Sequence, residues 1–234
     1  MNSNEKFLEK IEKLLENLSK AIEVEPNNAM RYAERGDNYL NWGITDKALK
    51  DHGKAIELEP NNAEFYIKRA KTYARIGQED KRLEDYNKAA ELDPNNPIVY
   101  SDRGDAYNQT NQYSKAIENF MKSIELDPGN KWAHLQCAYI YETLNQHDKA
   151  IEKFTELINN YDETIHHANL PDLYFNRARS YRVLKKYDEA EEDFAKAIEL
   201  SGDVYKQRYR ELWEEEQSET EEALTTIAKK YQIF

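Results

Sequence analysis

The chain has 234 residues, of which 33% are charged, and its formal net charge is −12 at pH 7. A negative field repels phosphate backbones and anionic lipids, which argues against nucleic acid or a membrane as a partner. No apolar run reaches the roughly 20 residues that a membrane-spanning helix needs, and the amino terminus lacks a signal-peptide pattern, so we expect a soluble, cytoplasmic protein.

A 34-residue period runs through most of the sequence. Four prolines mark it: Pro26, Pro60, Pro94 and Pro128. A period of this length is typical of stacked helix pairs, in which each unit buries its apolar face against its neighbours. We therefore expect one continuous all-α array, because its length counts repeats and not separate cores.

The first element is a helix predicted from about Asn4 to Val24. In register it matches the second helix of the later repeats, so residues 1–25 form a half repeat that caps the array and lacks a first helix. Part of its apolar stripe is then left exposed, and exposed apolar patches often mark interfaces. One function that follows is self-association, for example as a homodimer, through Phe7, Leu8, Ile11 and Leu15.

The next region, residues 26–204, holds five full repeats. Each begins with a helix that carries an aromatic residue or histidine, then glycine or alanine four residues later, then a tyrosine. Glycine costs about 1 kcal/mol relative to alanine inside a helix, so Gly36 and Gly104 indicate close approach of two helices. The second helices end before a proline, because proline has no backbone N–H to donate. The repeats are residues 29–62, 63–96, 97–130, 131–170 and 171–204.

The seventh position of four repeats is arginine. We predict that these long side chains lie over apolar surface with their charged heads exposed to solvent. They are Arg35, Arg69, Arg103 and Arg177.

The fourth repeat is six residues longer than the others. Its extra residues lie within 159–172 and predict an extended second helix and a longer loop that ends at Pro171. His166 and His167 are adjacent there, and adjacent side chains on a helix point about 100° apart, so they cannot share one metal ion. The single cysteine, Cys137, excludes an internal disulfide and is expected to be small and buried. We predict no metal site and no cofactor.

Residues 205–234 read as a degenerate sixth repeat that caps the array. Val204 to Trp213 give a weakly amphipathic first helix, and Ser218 with Glu221 forms a capping box for a second helix. Glutamates dominate 211–222, which suits the polar outer face that the last repeat of an array needs. Recruitment of a basic partner by this acidic run is the alternative.

The repeated positions resemble the tetratricopeptide repeat. The third repeat shows the resemblance best, at Tyr100, Gly104, Tyr107, Ala116, Phe120, Ser123 and Pro128. The resemblance implies a right-handed superhelical array of antiparallel helix pairs, an α-solenoid, whose first helices line a concave groove that receives peptides. It implies a non-catalytic scaffold or adaptor with a protein or peptide partner.

Motifs of known enzymes are missing from the sequence. It has no phosphate-binding glycine loop, no zinc-type cysteine pair, no nucleophile elbow and no metalloprotease signature. Carboxylates are abundant, but at this density they are expected on solvated helix faces and do not indicate acid–base chemistry. We therefore predict that the protein is not an enzyme.

The groove positions that the resemblance implies carry segregated side chains. A basic island in the second repeat stands beside aspartates of the third, and aromatic and arginine residues follow in the fourth and fifth. Trp, Tyr and Arg often dominate binding energies. The alternative is that Lys68 and Lys71 pair with neighbouring carboxylates and that Trp132 packs on the third repeat. The candidates are Lys68, Lys71, Arg75, Asp102, Asp105, Trp132, Tyr139, Phe175, Arg179 and Arg182.

Some members of the family hold the C-terminal carboxylate of chaperones with basic residues and asparagines at fixed positions of three successive repeats. Counted from the first repeat, those positions hold Ala33, Asp37, Lys68, Ile98 and Asp102. Counted from the second, they hold Ile67, Lys71, Asp102, Trp132 and Gln136. Neither register reproduces the clamp, so chaperone tails are not the predicted partner.

Overall fold

The computed structural model describes residues 3–161 and 169–216, which form eleven α-helices and no strand. After the single helix α1, consecutive helices pack as pairs joined by short turns, so the all-α prediction is confirmed. No helix in the described part is long and apolar enough to cross a membrane. The helices are α1 Ser3–Val24, α2 Ala29–Asn41, α3 Thr45–Leu58, α4 Ala63–Arg75, α5 Glu79–Leu92, α6 Pro97–Gln109, α7 Tyr113–Leu126, α8 Lys131–Thr143, α9 His147–Asn159, α10 Leu170–Val183 and α11 Tyr187–Glu216.

The chain divides into two compact units, whereas the period predicts one continuous array. Unit 1 is Met1–Leu126 and unit 2 is Asp127–Phe234. Unit 1 contains the half repeat α1 and the first three helix pairs, and unit 2 contains the last two pairs.

Every helix pair turns through a residue with positive φ at the same repeat position. A tyrosine of the first helix lies four residues before this turn residue. Its backbone carbonyl accepts a hydrogen bond, at 2.8–3.0 Å, from the backbone N–H of the residue that directly follows the turn residue. This bond satisfies a carbonyl at the end of the first helix and is the Schellman arrangement. The turn residues are Gly43, Gly77, Asn111, Asn145 and Lys185, with φ between 55° and 73°.

In four of the first helices, the residue at the fourth position contacts the preceding turn. Tyr32, Tyr66 and Tyr100 donate their hydroxyl groups to the carbonyls of the prolines six residues earlier, at 3.0–3.2 Å. A ring nitrogen of His134 lies 3.2 Å from the carbonyl of Pro128 in the same way. In these four repeats the aromatic residue or histidine and the proline are therefore parts of one contact, which holds the turn before the first helix.

Two glycines allow close approach of paired helices, as the sequence predicts. A Cβ added to Gly36 would lie 2.5 Å from the ring of His52, and one added to Gly104 would lie 2.9 Å from the ring of Phe120. Both rings are fully buried. The small residue on the first helix thus leaves the space that the ring from the second helix fills.

The arginines at the seventh position do not expose their charged heads, so that prediction is wrong. Arg69 donates two hydrogen bonds to Asp85, at 2.8 and 2.7 Å, and Asp85 is buried. The guanidinium carbon also lies within 6 Å of the rings of Tyr66 and Tyr73. Arg35 with Asp51 and Arg177 with Asp193 repeat this bidentate pair, and Arg103 bonds the neutral Asn119. Each arginine therefore joins the two helices of its own repeat.

Two predicted helix boundaries differ from the structure. The second helix of the fourth repeat is not extended, because α9 ends at Asn159. Instead α11 is long: it runs without a break from Tyr187 through Gly202 to Glu216, where a separate first helix of a sixth repeat was predicted. The equivalent helices end at Leu58, Leu92 and Leu126 before an Asp-Pro or Glu-Pro pair, and no proline follows Leu200 to stop α11. His166, His167, Ser218 and Glu221 lie outside the described residues.

Candidate functional site

The first helices of unit 1 border an open cleft of about 1240 Å³. We call it the unit 1 cleft. Side chains from α2 and α4 line it, together with the turns that precede α4 and α6. Among its lining residues are Asp37, Leu40, Ile67, Lys68, Lys71 and Ile98, and two of these, Lys68 and Lys71, are groove candidates predicted from the sequence.

The basic island of the second repeat is paired with carboxylates from its neighbours. Lys68 Nζ lies 2.6 Å from Asp37 Oδ2 and 3.1 Å from Glu64 Oε1, and the Lys68 side chain is only 20% exposed. Burial alone would lower the pKa of Lys68, but the bonds to Asp37 and Glu64 outweigh it and raise that pKa. Lys71 Nζ lies 3.2 Å from Asp102 Oδ2. Both lysines therefore form ion pairs with carboxylates of neighbouring side chains, which was the alternative interpretation of these residues.

A buried histidine supports the cleft from below. His52 is fully buried, with Nε2 at 3.2 Å from Asp37 Oδ1 and Nδ1 at 3.0 Å from Thr72 Oγ1. Burial would raise the pKa of Asp37, but hydrogen bonds from His52 and Lys68 prevail and lower it. Because the folded pKa lies below the unfolded one, this network stabilises the fold above the ordinary aspartate range and is lost as pH falls through the lowered pKa.

The remaining unit 1 candidates, Arg75, Asp102 and Asp105, are not among the lining residues of the cleft. Arg75 is exposed at the last residue of α4, and Asp105 is half-buried on α6. Asp102 is half-buried beside Lys71, and its Oδ2 is buried without a hydrogen bond of good geometry in the described residues. Burial, then the Asp102 charge, raises the pKa of the fully buried Tyr86. Asp102 therefore acts electrostatically on Tyr86 as well as on its ion-pair partner Lys71.

Unit 2 has a second cleft, of about 670 Å³, between α8, the α8–α9 turn and α10. We call it the unit 2 cleft. The structure brings Tyr139, Arg179 and Arg182 together there, as the sequence analysis proposed for a shared lining. The Tyr139 hydroxyl accepts a hydrogen bond from Asn176 at 3.4 Å, its ring meets Phe154 edge-on at 5.9 Å, and burial raises its pKa. The cleft also contains Glu142, His147 and the exposed Val183.

Of the other two aromatic candidates, Phe175 is a core residue. Its side chain is only 6% exposed and packs on Phe194, with ring centroids 6.3 Å apart. The fifth position of every first helix is similarly buried. Trp132 is half-buried on α8. The fifth-position residues are Ala33, Ile67, Ser101, Leu135 and Phe175.

A polar contact at the base of the unit 2 cleft was missed by the sequence analysis. Ser180 is fully buried, donates to Glu142 Oε1 at 3.1 Å and lies 3.4 Å from His147 Nδ1. It therefore ties α10 to the end of α8 and the start of α9. A buried serine resembles the small residues of the core in the sequence, and no spacing signal sets it apart.

Neither metal binding nor thiol chemistry has a site among the described side chains. No group of three His, Cys, Asp or Glu residues in residues 3–161 and 169–216 could hold a metal ion. Cys137 is fully buried, and burial raises the pKa of its thiol to about 12. The thiol is thus protonated at neutral pH and has little nucleophilic character.

Sequence models of the tetratricopeptide repeat match residues 53–84, 85–118, 132–164 and 171–203, and a further TPR repeat model matches residues 104–145. No curated protein matches the chain. The matched residues run from residue 53, within α3, to residue 203, in the first half of α11, with a gap at 165–170.

Solved structures share the fold. MamA is 27% identical with a TM-score of 0.63, over 70% of this chain and 92% of MamA. YrrB, described as a TPR protein with an unusual peptide-binding site, is 20% identical with a TM-score of 0.65, over 80% and 93% of the two chains. The pilF protein of Pseudomonas aeruginosa is 18% identical with a TM-score of 0.69, over 88% and 90%. At their identities the last two show likeness of fold alone.

Proposed function

The chain belongs to the tetratricopeptide repeat family, and from that premise we propose that it is a non-catalytic scaffold or adaptor that binds a peptide or protein segment along its first helices. The observation that carries the proposal is the unit 1 cleft. Its volume of about 1240 Å³ exceeds the roughly 300–1,000 Å³ of small-molecule pockets. That size suits several residues of a polypeptide better than a metabolite.

The unit 2 cleft supports the same function through its residue types. Tyr139 is 37% exposed, and Arg179 and Arg182 lie beside it with the exposed Val183. Tyrosine and arginine contribute strongly to binding when a partner removes them from water. YrrB, which has the same fold, is described as having a peptide-binding site, and this favours a peptide as the ligand class. A cytoplasmic setting stays a prediction.

We expect Lys71→Glu and Trp132→Ala to weaken capture of the binding segment without unfolding the chain. Lys71→Glu places a second negative charge beside Asp102, and Trp132→Ala removes a half-buried aromatic surface from α8. Each variant is immobilised, and segments retained from a native lysate are compared with those on the wild type. Far-ultraviolet circular dichroism checks that helix content is unchanged.

Lys88→Glu is the matched control for Lys71→Glu. Lys88 is similarly exposed, at 45% against 50%, but it lies on α5 and pairs with Glu91. It removes the same charge away from the cleft and should leave capture unchanged. Equal capture by wild type, Lys71→Glu and Trp132→Ala would count against binding along the first helices.

Self-association through α1 is the second candidate function. Leu14 is 42% exposed and Val24 is 81% exposed, while Ile11 and Leu15 are half-buried. The side chains of Phe7 and Leu8, which complete the predicted interface, lie outside the described part of the structure. If α1 mediates a homodimer, light scattering at high micromolar concentration gives twice the chain mass, and Leu14→Glu restores the monomer mass. A strict monomer at that concentration excludes this candidate.

A further inference from the structure

The unit 1 cleft has more carboxylates than cations. Its lining includes the carboxylates of Asp37, Glu59, Glu64 and Asp93 and the ammonium groups of Lys68 and Lys71, a net charge of −2. Both lysines are already in ion pairs, one of them with Asp102 at the border of the cleft. The electrostatic character of the cleft is therefore the opposite of the basic island that the sequence alone predicts.

The two turns that line the cleft contain carboxylates with unused hydrogen-bond acceptors. Asn62 donates one of its two amide N–H groups to Glu59 and accepts a hydrogen bond from the backbone N–H of Glu64. Asn96 does the same with Asp93 and the N–H of Ile98. In the described structure, the carboxylates of Glu59 and Asp93 each accept a hydrogen bond through only one of their two oxygens. Each can accept more than one. The carboxylates of both turns therefore keep unused hydrogen-bond acceptors that face a ligand in the cleft.

Apolar side chains also line the unit 1 cleft. Ile98 is 56% exposed, and it lines the cleft together with Leu40, Leu92 and Ile67. An exposed isoleucine at a concave position loses contact with water when a partner side chain covers it, which favours binding. The cleft therefore combines apolar surface with hydrogen-bond acceptors.

We infer that the unit 1 cleft selects a polypeptide segment in which a lysine or arginine stands next to a large apolar residue. The inference rests on the proposed function and specifies its ligand. The apolar side chain covers Ile98, and the cation bonds Glu64 and the carboxylates of the two turns. Arginine fits this role especially well, because its five N–H groups can donate to several of the carboxylate oxygens that line the cleft. Acidic segments are disfavoured, since they would meet the same carboxylates.

Selection from a random dodecapeptide library displayed on phage tests the inference with the full chain as bait. We expect enrichment of sequences that join Lys or Arg to Leu, Ile, Met or Phe. An enriched peptide, synthesised with a fluorescent label, is then titrated by anisotropy. Glu64→Gln should weaken binding about threefold, as for one exposed ion pair, and Ile98→Ser about tenfold, as for one buried apolar side chain. Raising the salt concentration should weaken the wild-type complex.

Glu91→Gln is the control, because Glu91 is 68% exposed on α5 of the same repeat and lies outside the lining of the cleft. It should bind the peptide as the wild type does. Enrichment of acidic peptides whose binding is lost with Lys71→Glu overturns the inference but leaves peptide binding intact. Peptides whose affinity is unaffected by Glu64→Gln, Ile98→Ser and Lys71→Glu, or no enrichment, overturn both the inference and the proposed use of this cleft.

Discussion

Replacing Arg69 with methionine is expected to lower the free energy of unfolding by about 3 kcal/mol, because it leaves the charge of Asp85 buried without its partner. Asp85 is 4% exposed, while Arg69 is 26% exposed, so water reaches part of the site and the loss falls at the lower end of the range for buried pairs. Methionine keeps much of the packing over Tyr66 and Tyr73. Urea unfolding followed by circular dichroism gives the change.

The third repeat supplies the natural control for this variant. Arg103 stands at the same position, but its partner Asn119 is neutral, so Arg103→Met leaves no orphan charge and should cost about 1 kcal/mol. Asp85→Asn added to Arg69→Met should recover part of the stability by the same reasoning. Equal losses for Arg69→Met and Arg103→Met would mean that packing, and not the buried charge, determines the effect.

The helix boundaries of the regular repeats follow from local signals that the sequence displays. The pair of Leu58 and Pro60 recurs as Leu92 and Pro94, and the second helices end at the leucines. Where that local signal is absent the prediction fails: no proline follows Leu200, and α11 continues through Gly202. The period alone cannot reveal this, since a period marks where a copy should start and not whether the chain stops there.

Side-chain partners in the candidate site were harder to predict, because they come from other repeats. Lys68 pairs with Asp37, and Lys71 with Asp102, each across 31 residues. When the second repeat is considered alone, its lysines have no partners from other repeats. With the first and third repeats in place, Lys68 and Lys71 are both in ion pairs. The arginine pairs held a usable signal, since Arg35, Arg69 and Arg177 each precede an aspartate by 16 residues. The burial of Phe175 follows only when the fifth position is compared across all repeats.

Gly36→Ala is expected to destabilise unit 1 by about 3 kcal/mol, at the upper end of the range for overpacked cores. The new Cβ would lie 2.5 Å from two ring atoms of His52. That ring cannot retreat freely, because Asp37 and Thr72 hold its two nitrogens and it is fully buried. Relief of the clash therefore requires a lost hydrogen bond or a shift of α2 relative to α3. The urea midpoint measures the loss.

Two further glycines of the same unit separate this clash from the general effect of alanine in a helix. A Cβ on Gly53, inside α3, meets nothing within 4 Å, so Gly53→Ala should stabilise by up to about 1 kcal/mol through helix propensity alone. A Cβ on Gly104 meets the Phe120 ring at 2.9 Å, a milder overlap with a ring that no polar contact holds, so Gly104→Ala should lie between the two. The order Gly53, Gly104, Gly36 tests the geometry directly, because propensity predicts the same gain at all three positions. A gain in stability from Gly36→Ala would show that His52 moves without penalty, and the support that it gives to Asp37 at the cleft would then lose its basis.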